Sequence, residues 1–440
     1  MQVYLETYGC QMNEYDSELV RTILANGSFQ MTSTLEEADV VLLNTCAIRE
    51  SAHERIYGRL GHLGALKKSN PRLIVGLLGC MAQSLKQELL DEHPILDLVA
   101  GPDAYRKLPR LIHAMCDTGR KGLEIDLSEY ETYDDVAPQR VPGVNAWIAC
   151  MRGCDNFCTF CVVPYTRGRE RSRDAESIVA ETRQLAAAGH KQVTLLGQNV
   201  NSYRFEGTDF AQLLLRVADV DGIERVRFTS PHPKDFPRPL LQAIRSHPKL
   251  CKQIHLPLQA GNDAVLERMR RTYTRAEFLA LVDEIRATIP EVCLSTDVIC
   301  GFPGEDEAAF EDTVEVLSRV RFDSAFIFKY SQRQNTIAQR KFTDDVEEDV
   351  KTARVVRLNA IQKQVSLERH RAYVGRTLPV LLERPSRKSP HDLLGRDDGN
   401  HCVVLPGAGL RVGSLLPVRI LAASAHTLLG EALAPTASPA

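Results

Sequence analysis

Cys154-Asp155-Asn156-Phe157-Cys158-Thr159-Phe160-Cys161 sets three cysteines at a Cys-x3-Cys-x2-Cys spacing, directly after the strand-like run 147–151. Thiolates are soft ligands, and three so close in sequence can wrap one cubane iron–sulfur cluster. One iron of the cubane would then stay free of protein and could take a substrate or cofactor. Two blander chemistries compete. A structural zinc site wants four ligands, and no fourth Cys or His follows nearby. A disulfide would leave one thiol over and needs an oxidising compartment. Just downstream, Arg167, Arg169, Arg171 and Arg173 alternate, which puts their guanidinium groups on one side of an extended segment. Guanidinium forks pair with phosphate or carboxylate. Arg167, Arg169 and Arg173 are therefore candidate substrate contacts, against the alternative of a solvated charge run.

A second set of thiols lies upstream. Cys10, Cys46 and Cys80 each end an apolar β-run and open a helix-compatible stretch. Three unrelated core cysteines would be an ordinary finding, but their shared structural position favours a common site. Cys116 and Cys150 fall outside this pattern and read as packing residues.

The elements that must position these residues divide the chain. Strand–helix alternation over 1–130 predicts a doubly wound parallel sheet, whose ligands bind beyond the carboxyl ends of the strands. Residues 131–145, with their acids, Pro and Gly, read as an exposed linker. From 146 to 371 the expected strands are 147–151, 192–197, 225–230, 253–258, 293–300 and 324–330, separated by amphipathic helices. Six βα units fit a partial parallel barrel with its site at the strand ends. There Gln198, Asn199, Gln259, Gly261, Asp297 and Gly301 are candidate cofactor contacts, from amides that read polar groups and glycines that admit a close ligand. His232 and His255 read as structural as readily as functional. Residues 372–434 show short β-runs with turns such as Asp397-Asp398-Gly399-Asn400, which suggests a small β-barrel. Arg387 and Lys388 lie on a loop that could meet RNA phosphates. The tail 435–440 is expected to be disordered.

Composition narrows the class. The chain has 440 residues, 44% of them hydrophobic and 25% charged, as in ordinary globular proteins. No apolar run reaches the roughly 18 residues of a membrane span, and the N-terminus shows no secretory signal. A cytoplasmic location is expected. Twelve cysteines then suggest metal or redox chemistry, and a net charge of −3 argues against indiscriminate coating of nucleic acid.

In order of parts, the chain resembles the radical S-adenosylmethionine methylthiotransferases over nearly its whole length. The resemblance rests on Tyr8-Gly9-Cys10-Gln11-Met12-Asn13-Glu14-Tyr15-Asp16-Ser17, Asn44-Thr45-Cys46-Ala47-Ile48-Arg49-Glu50 and Cys158-Thr159-Phe160-Cys161-Val162-Val163-Pro164-Tyr165-Thr166-Arg167-Gly168. These stretches are similar to the tRNA-modifying branch. The ribosomal-protein branch usually has Gly-Cys-Pro-Lys-Asn at Gly9–Asn13, and the branch acting on threonylcarbamoyl-adenosine prefers Lys at Gln11. The last module resembles the TRAM domain, an RNA-binding barrel.

The resemblance implies a radical-SAM barrel with two [4Fe–4S] clusters and S-adenosylmethionine. Cys154, Cys158 and Cys161 would hold the radical cluster, and Cys10, Cys46 and Cys80 an auxiliary one that presents sulfur. A 5′-deoxyadenosyl radical would take hydrogen from C2 of N6-isopentenyladenosine beside the anticodon of tRNA, giving the 2-methylthio derivative. Implied partners are that tRNA, an electron-donor protein and an iron–sulfur or sulfur delivery system, with a monomeric enzyme and no membrane. Alternatives are methylthiolation of a ribosomal-protein aspartate or of threonylcarbamoyl-adenosine, and, from another class, a non-catalytic iron–sulfur RNA sensor. One departure is that Gly197-Gln198-Asn199 stands where the radical family carries Gly-Gly-Glu.

Overall fold

The structure is a computed structural model that describes residues 1–47 and 50–433, without the side chains of residues 50–53 and 235. Ile48 and Arg49 of the second motif, and the tail 435–440, lie outside the described residues.

The N-terminal sheet contains β1 (Gln2–Tyr8), β2 (Gln30–Met31), β3 (Val40–Thr45), β4 (Ile74–Gly79), β5 (Leu98–Ala100) and β6 (Gly122–Glu124). Its order is β2-β1-β3-β4-β5-β6, and every pairing is parallel. Strands β3 and β4 are buried along their whole length, as the apolar runs VVLL and IVGLL require when helices cover both faces. Strand order reverses between β1 and β3, the switch point at which such sheets bind ligands. Cys10 and Cys46 follow the two strands that flank it.

The central strands are Asn145–Ala149, Gln192–Leu196, Arg225–Phe228, Gln253–His255, Cys293–Cys300 and Ser324–Lys329. They form two three-stranded parallel sheets in chain order, joined by a bridge between Val226 and Leu250. This is the expected six-stranded open barrel. One apolar core runs beneath its helices, from Ile148 through Leu214, Ile254 and Phe310 to Leu358.

The C-terminal strands Thr377–Pro385, Asp392–Arg396, Cys402–Pro406, Leu415–Ala423 and Leu428–Ala432 close into a small barrel. Its turn Asp397-Asp398-Gly399-Asn400 sits against the N-terminal ends of the central strands. Arg227 donates to the Asp397 and Asp398 carbonyls at 2.6 and 3.0 Å, and the Lys252 amide to Asp398 Oδ2 at 3.1 Å. His401 bonds Asp397 at 2.8 Å and faces Asp323 at 3.9 Å. Cys293 completes a buried Cys–Asp–His group there. The Asp323 carboxylate is already taken by Arg369 at 2.6 Å and the Leu294 amide at 2.8 Å, so the group works as an ion-pair latch between domains.

Residues 131–145 are exposed only in part, with Tyr133, Val136, Pro138 and Val144 buried. Tyr133 is fully buried, its hydroxyl donating to the Pro102 carbonyl at 2.9 Å, and the Arg152 guanidinium lies 4.7 Å from its ring centre. An aromatic ring and a partner for its hydroxyl outweigh the local polar composition, and the segment straps the first two domains together.

Candidate active site

Cys10, Cys46 and Cys80 leave the carboxyl ends of the adjacent strands β1, β3 and β4. Asn13 and Asn44, both fully buried, tie these ends together. Asn13 Nδ2 donates to Asn44 Oδ1 at 3.1 Å and the Thr45 carbonyl at 3.2 Å, and Asn44 Nδ2 donates to the Asn13 carbonyl at 2.9 Å. The Cys10 thiol donates to Asn13 Oδ1 at 3.3 Å. Gly9 and Gly79 are required by this crowding: a Cβ on the first would lie 2.7 Å from Cys46 Cβ, and on the second, at φ +88, 2.8 Å from the Thr45 carbonyl. A hydrogen bond from the Cys46 thiol holds the Cys10 thiol below its ordinary value against burial, with the charge of Arg167 adding to it. Burial pushes Cys80 up, and Arg167 opposes it.

The other three cysteines lie in the loop after the first barrel strand. Burial pushes Cys154 up to about 11 and Cys161 up to about 12. Cysteine thiolates are soft ligands that hold iron–sulfur clusters, and each set offers three of them, so both donor sets fit soft-metal clusters by donor type. The loop is held in shape around them. Asn156 Nδ2 and the Val163 amide each lie 3.5 Å from a thiol sulfur, of Cys154 and Cys161 respectively. Arg271 Nη1 donates to Cys158 Sγ at 3.3 Å. Thr159 donates through its amide to the Met269 carbonyl at 3.0 Å and through Oγ1 to the Arg268 carbonyl at 2.8 Å.

Around this loop several buried polar atoms have no hydrogen-bond partner among the described residues: Asn199 Oδ1, Gln259 Oε1 and His232 Nε2. Buried polar atoms are normally satisfied, so these suit a polar ligand such as S-adenosylmethionine. Burial, with Arg271 and Lys234 adding, pushes His232 down to about 3, which keeps the ring neutral. Gln198 is spent on the loop, its Oε1 accepting from the Gly153 amide at 2.6 Å. Asp297 Oδ2 accepts from His255 Nε2 at 3.1 Å on the concave barrel face. Phe326 and Phe328 share that face, in register with Asp297 and Ile299, and are 54% and 50% exposed. Their neighbour Ile327 packs into the core instead.

Four expected contacts are corrected. A Cβ on Gly261 would strike the Thr313 backbone at 2.5 Å, and one on Gly301 would meet Lys351 Cγ at 2.3 Å; both glycines serve helix packing. Arg167 and Arg173 do not face RNA. Arg167 Nη2 pairs with Asp16 at 2.8 Å, and Arg173 pairs with Asp134 at 3.0 Å and Glu181 at 2.5 Å, so both guanidinium groups are buried against the protein's own carboxylates. Arg171 likewise pairs with Asp103. Arg169, by contrast, is exposed and lies over the Phe157 ring at 5.0 Å, and Arg387 and Lys388 are exposed on their loop. Arg271 was not legible beforehand.

An auxiliary three-cysteine site on a doubly wound domain, a three-cysteine loop on an open βα barrel and a terminal β-barrel define a radical-SAM protein with a TRAM module. Residues 148–317 match the Radical SAM superfamily, 371–433 the TRAM domain and 2–101 the uncharacterised family UPF0004. The fold is similar to the radical S-adenosylmethionine methyltransferase TsrM from Kitasatospora setae, at a TM-score of 0.57 and 15% identity over 77% of each chain. Similar relatives include the tRNA-2-methylthio-N(6)-dimethylallyladenosine synthases of Chloroherpeton thalassium, 47% identical over 98% of this chain and 96% of the relative, and of Porphyromonas gingivalis, 45% identical over 98% and 94%. The chain belongs to the family of tRNA-2-methylthio-N(6)-dimethylallyladenosine synthases.

Proposed function

We propose that this chain transfers a methylthio group to C2 of N6-isopentenyladenosine next to the anticodon of tRNA, giving 2-methylthio-N6-isopentenyladenosine. The observation that carries the reading is the pair of cysteine triads, each at the carboxyl ends of parallel strands and facing a shared domain junction. Cys154, Cys158 and Cys161 would hold the radical [4Fe–4S] cluster, and Cys10, Cys46 and Cys80 the auxiliary one. When bound, the clusters and S-adenosylmethionine supply one-electron chemistry able to break an unactivated C–H bond, together with the sulfur and the methyl group.

The chain's own residues supply the rest. Arg271 fixes the Cys158 sulfur, while Asn199, Gln259 and neutral His232 offer polar atoms to the cofactor. Phe326 and Phe328 present an apolar aromatic face inside the barrel for an adenine drawn out of its stack, and for its isopentenyl group. Arg169, Arg387 and Lys388 are the exposed cations that would meet the RNA backbone. An electron-donor protein and a source of replacement sulfur belong to the same proposal.

The test uses anaerobically reconstituted protein, a reductant, S-adenosylmethionine and an isopentenylated anticodon stem-loop, with nucleosides followed by mass spectrometry. A methylthio gain on the adenosine, lost in Cys10→Ala and Cys158→Ala, is expected. Cofactor cleavage without a product on this RNA would move the substrate to threonylcarbamoyl-adenosine or a ribosomal protein. Neither cleavage nor product in iron-replete protein would leave a non-catalytic iron–sulfur sensor.

A further inference from the structure

Arg167 leaves the radical-cluster loop six positions after Cys161, in the short helix Val163–Arg167. That helix does not stay in its own domain. Val162, at its start, packs with Ala47 and Cys80 of the N-terminal domain. Arg167 is buried with it, 3% exposed, and its Nη2 bonds Asp16 Oδ2 at 2.8 Å. Arg152 takes the other oxygen, Oδ1, at 2.7 Å. Two arginines thus share one carboxylate, and Tyr105, the third partner of Asp16 at 3.3 Å, adds a hydroxyl but no charge. Arg171 is neutralised separately by Asp103.

The one carboxylate of Asp16 therefore answers two buried guanidinium groups at once. A buried charge without a counter-charge is strongly disfavoured. Arg167 Nη1 is also buried and has no hydrogen-bond partner among the described residues. Arg152 Nε and Nη1 and Arg171 Nε are buried donors left over in the same way, but Arg167 is the side chain whose charge acts on Cys80 and Cys10.

We propose that Arg167 is a positioning residue of the auxiliary site: its Nη1 donates a hydrogen bond to an anionic sulfur of the group held by Cys10, Cys46 and Cys80. The inference rests on the cluster assignment made above. A cubane held by three thiolates is a net anion, so it would offer Arg167 a second counter-charge beside the shared Asp16, and its sulfurs are acceptors. Donors to cluster sulfur stabilise the reduced, more negative state and raise the reduction potential. Arg167 accordingly links the two metal sites: one loop carries the radical-cluster thiols and the donor that sets the electronic state of the second site.

The test isolates the auxiliary site in a parent variant, Cys154→Ala/Cys158→Ala/Cys161→Ala, reconstituted with iron and sulfide. Iron per chain and the midpoint potential, from a titration followed by electron paramagnetic resonance, are compared for Arg167→Lys, Arg167→Gln and Arg152→Lys in that parent. Arg167→Lys keeps a cation against Asp16, so it guards against simple misfolding of Arg167→Gln. The expected result is a more negative potential in both Arg167 variants with iron retained, and little shift in Arg152→Lys. An unchanged potential in iron-replete Arg167→Lys would overturn the proposal, as would an equal shift in Arg152→Lys, which would reduce the effect to the general field of the knot. A parent that binds no iron would instead sink the cluster assignment itself.

Discussion

Arg271 Nη1 donates to Cys158 Sγ at 3.3 Å, and both side chains are buried. The guanidinium is held in turn by the Tyr273 hydroxyl, 3.1 Å from Nε, and that hydroxyl donates to the carbonyls of Pro257 and Leu258. A barrel strand end is thereby coupled to one ligand of the radical site. Buried hydrogen bonds to charged groups are worth about 1.5–3 kcal/mol. Arg271→Met should therefore slow reductive cleavage of S-adenosylmethionine by roughly one to two orders of magnitude at equal iron content. Cleavage at the wild-type rate would show that the contact is idle.

Asp16 joins the two cysteine domains. Burial alone would raise its pKa, but Arg152 and Arg167 outweigh it and hold the carboxyl below its ordinary value. A lowered folded value contributes stability that is present above the unfolded pKa, near 3.9, and is lost as pH falls through the folded one. Asp16→Asn leaves two buried guanidinium groups without a counter-charge, at a cost of about 3–5 kcal/mol. Denaturant unfolding of the metal-free protein at pH 7 should show that loss, and the variant should have shed the acid dependence below pH 4 that this group contributes.

His401 titrates in the opposite sense. Burial disfavours its charge, yet Asp323 and Asp397 prevail and push it up to about 12, with Arg369, His370, Tyr373 and Cys293 also facing it. Its stabilisation is complete below the unfolded value, near 6.5, and fades as pH climbs toward 12, by at most about 1.4 kcal/mol per pH unit. Thermal unfolding measured from pH 6 to pH 9 should decline more steeply for the wild type than for His401→Gln. Parallel curves would show that the latch carries no proton-linked energy.

Phe326 and Phe328 give a test that separates substrate from cofactor. Stacking a base on an aromatic ring is worth about 1–3 kcal/mol. Phe328→Ala should raise the KM for the stem-loop by roughly 5- to 150-fold, while formation of 5′-deoxyadenosine without RNA stays near the wild-type rate. Equal loss of both activities would mean that the ring supports the barrel rather than the base.

Backbone contacts are read by salt. Each phosphate contact removed should flatten the slope of log affinity against log salt by about 0.7–0.9. Arg169→Ala and the pair Arg387→Ala/Lys388→Ala should do so in a filter-binding titration, whereas Arg173→Ala should instead lower stability.

Both cysteine triads were legible because their signal is local: ligand spacing within eight residues in one case, and a repeated strand-end position in the other. The three layers of fold followed from periodicity, although three-residue strands such as β5 and β6 leave too little pattern to see. What stayed hidden depends on distant partners. Arg271 meets Cys158 across 113 positions, and Arg167 meets Asp16 across 151, so neither fate is written in its neighbours. The arginine run suggests contact with a substrate's anionic groups, but Arg167, Arg171 and Arg173 take the protein's own carboxylates instead. Gly261 and Gly301 look like ligand loops in sequence, and only the helices behind them show why a side chain is excluded.

The turn Asp397-Asp398-Gly399-Asn400 gives the enzyme a floor. It lies against the N-terminal ends of the strands, at the end of the barrel opposite the cysteine loop. The five-residue strand Asn145–Ala149 that leads to the cysteine loop rises roughly 17 Å, and a span of that order separates the two ends. In the proposed reaction, an RNA held by the terminal module would run along the outside of the barrel before its adenine turns inward. The protein is built as a gauge of fixed span, and an oligonucleotide too short to reach from one jaw to the other would feel only half of it.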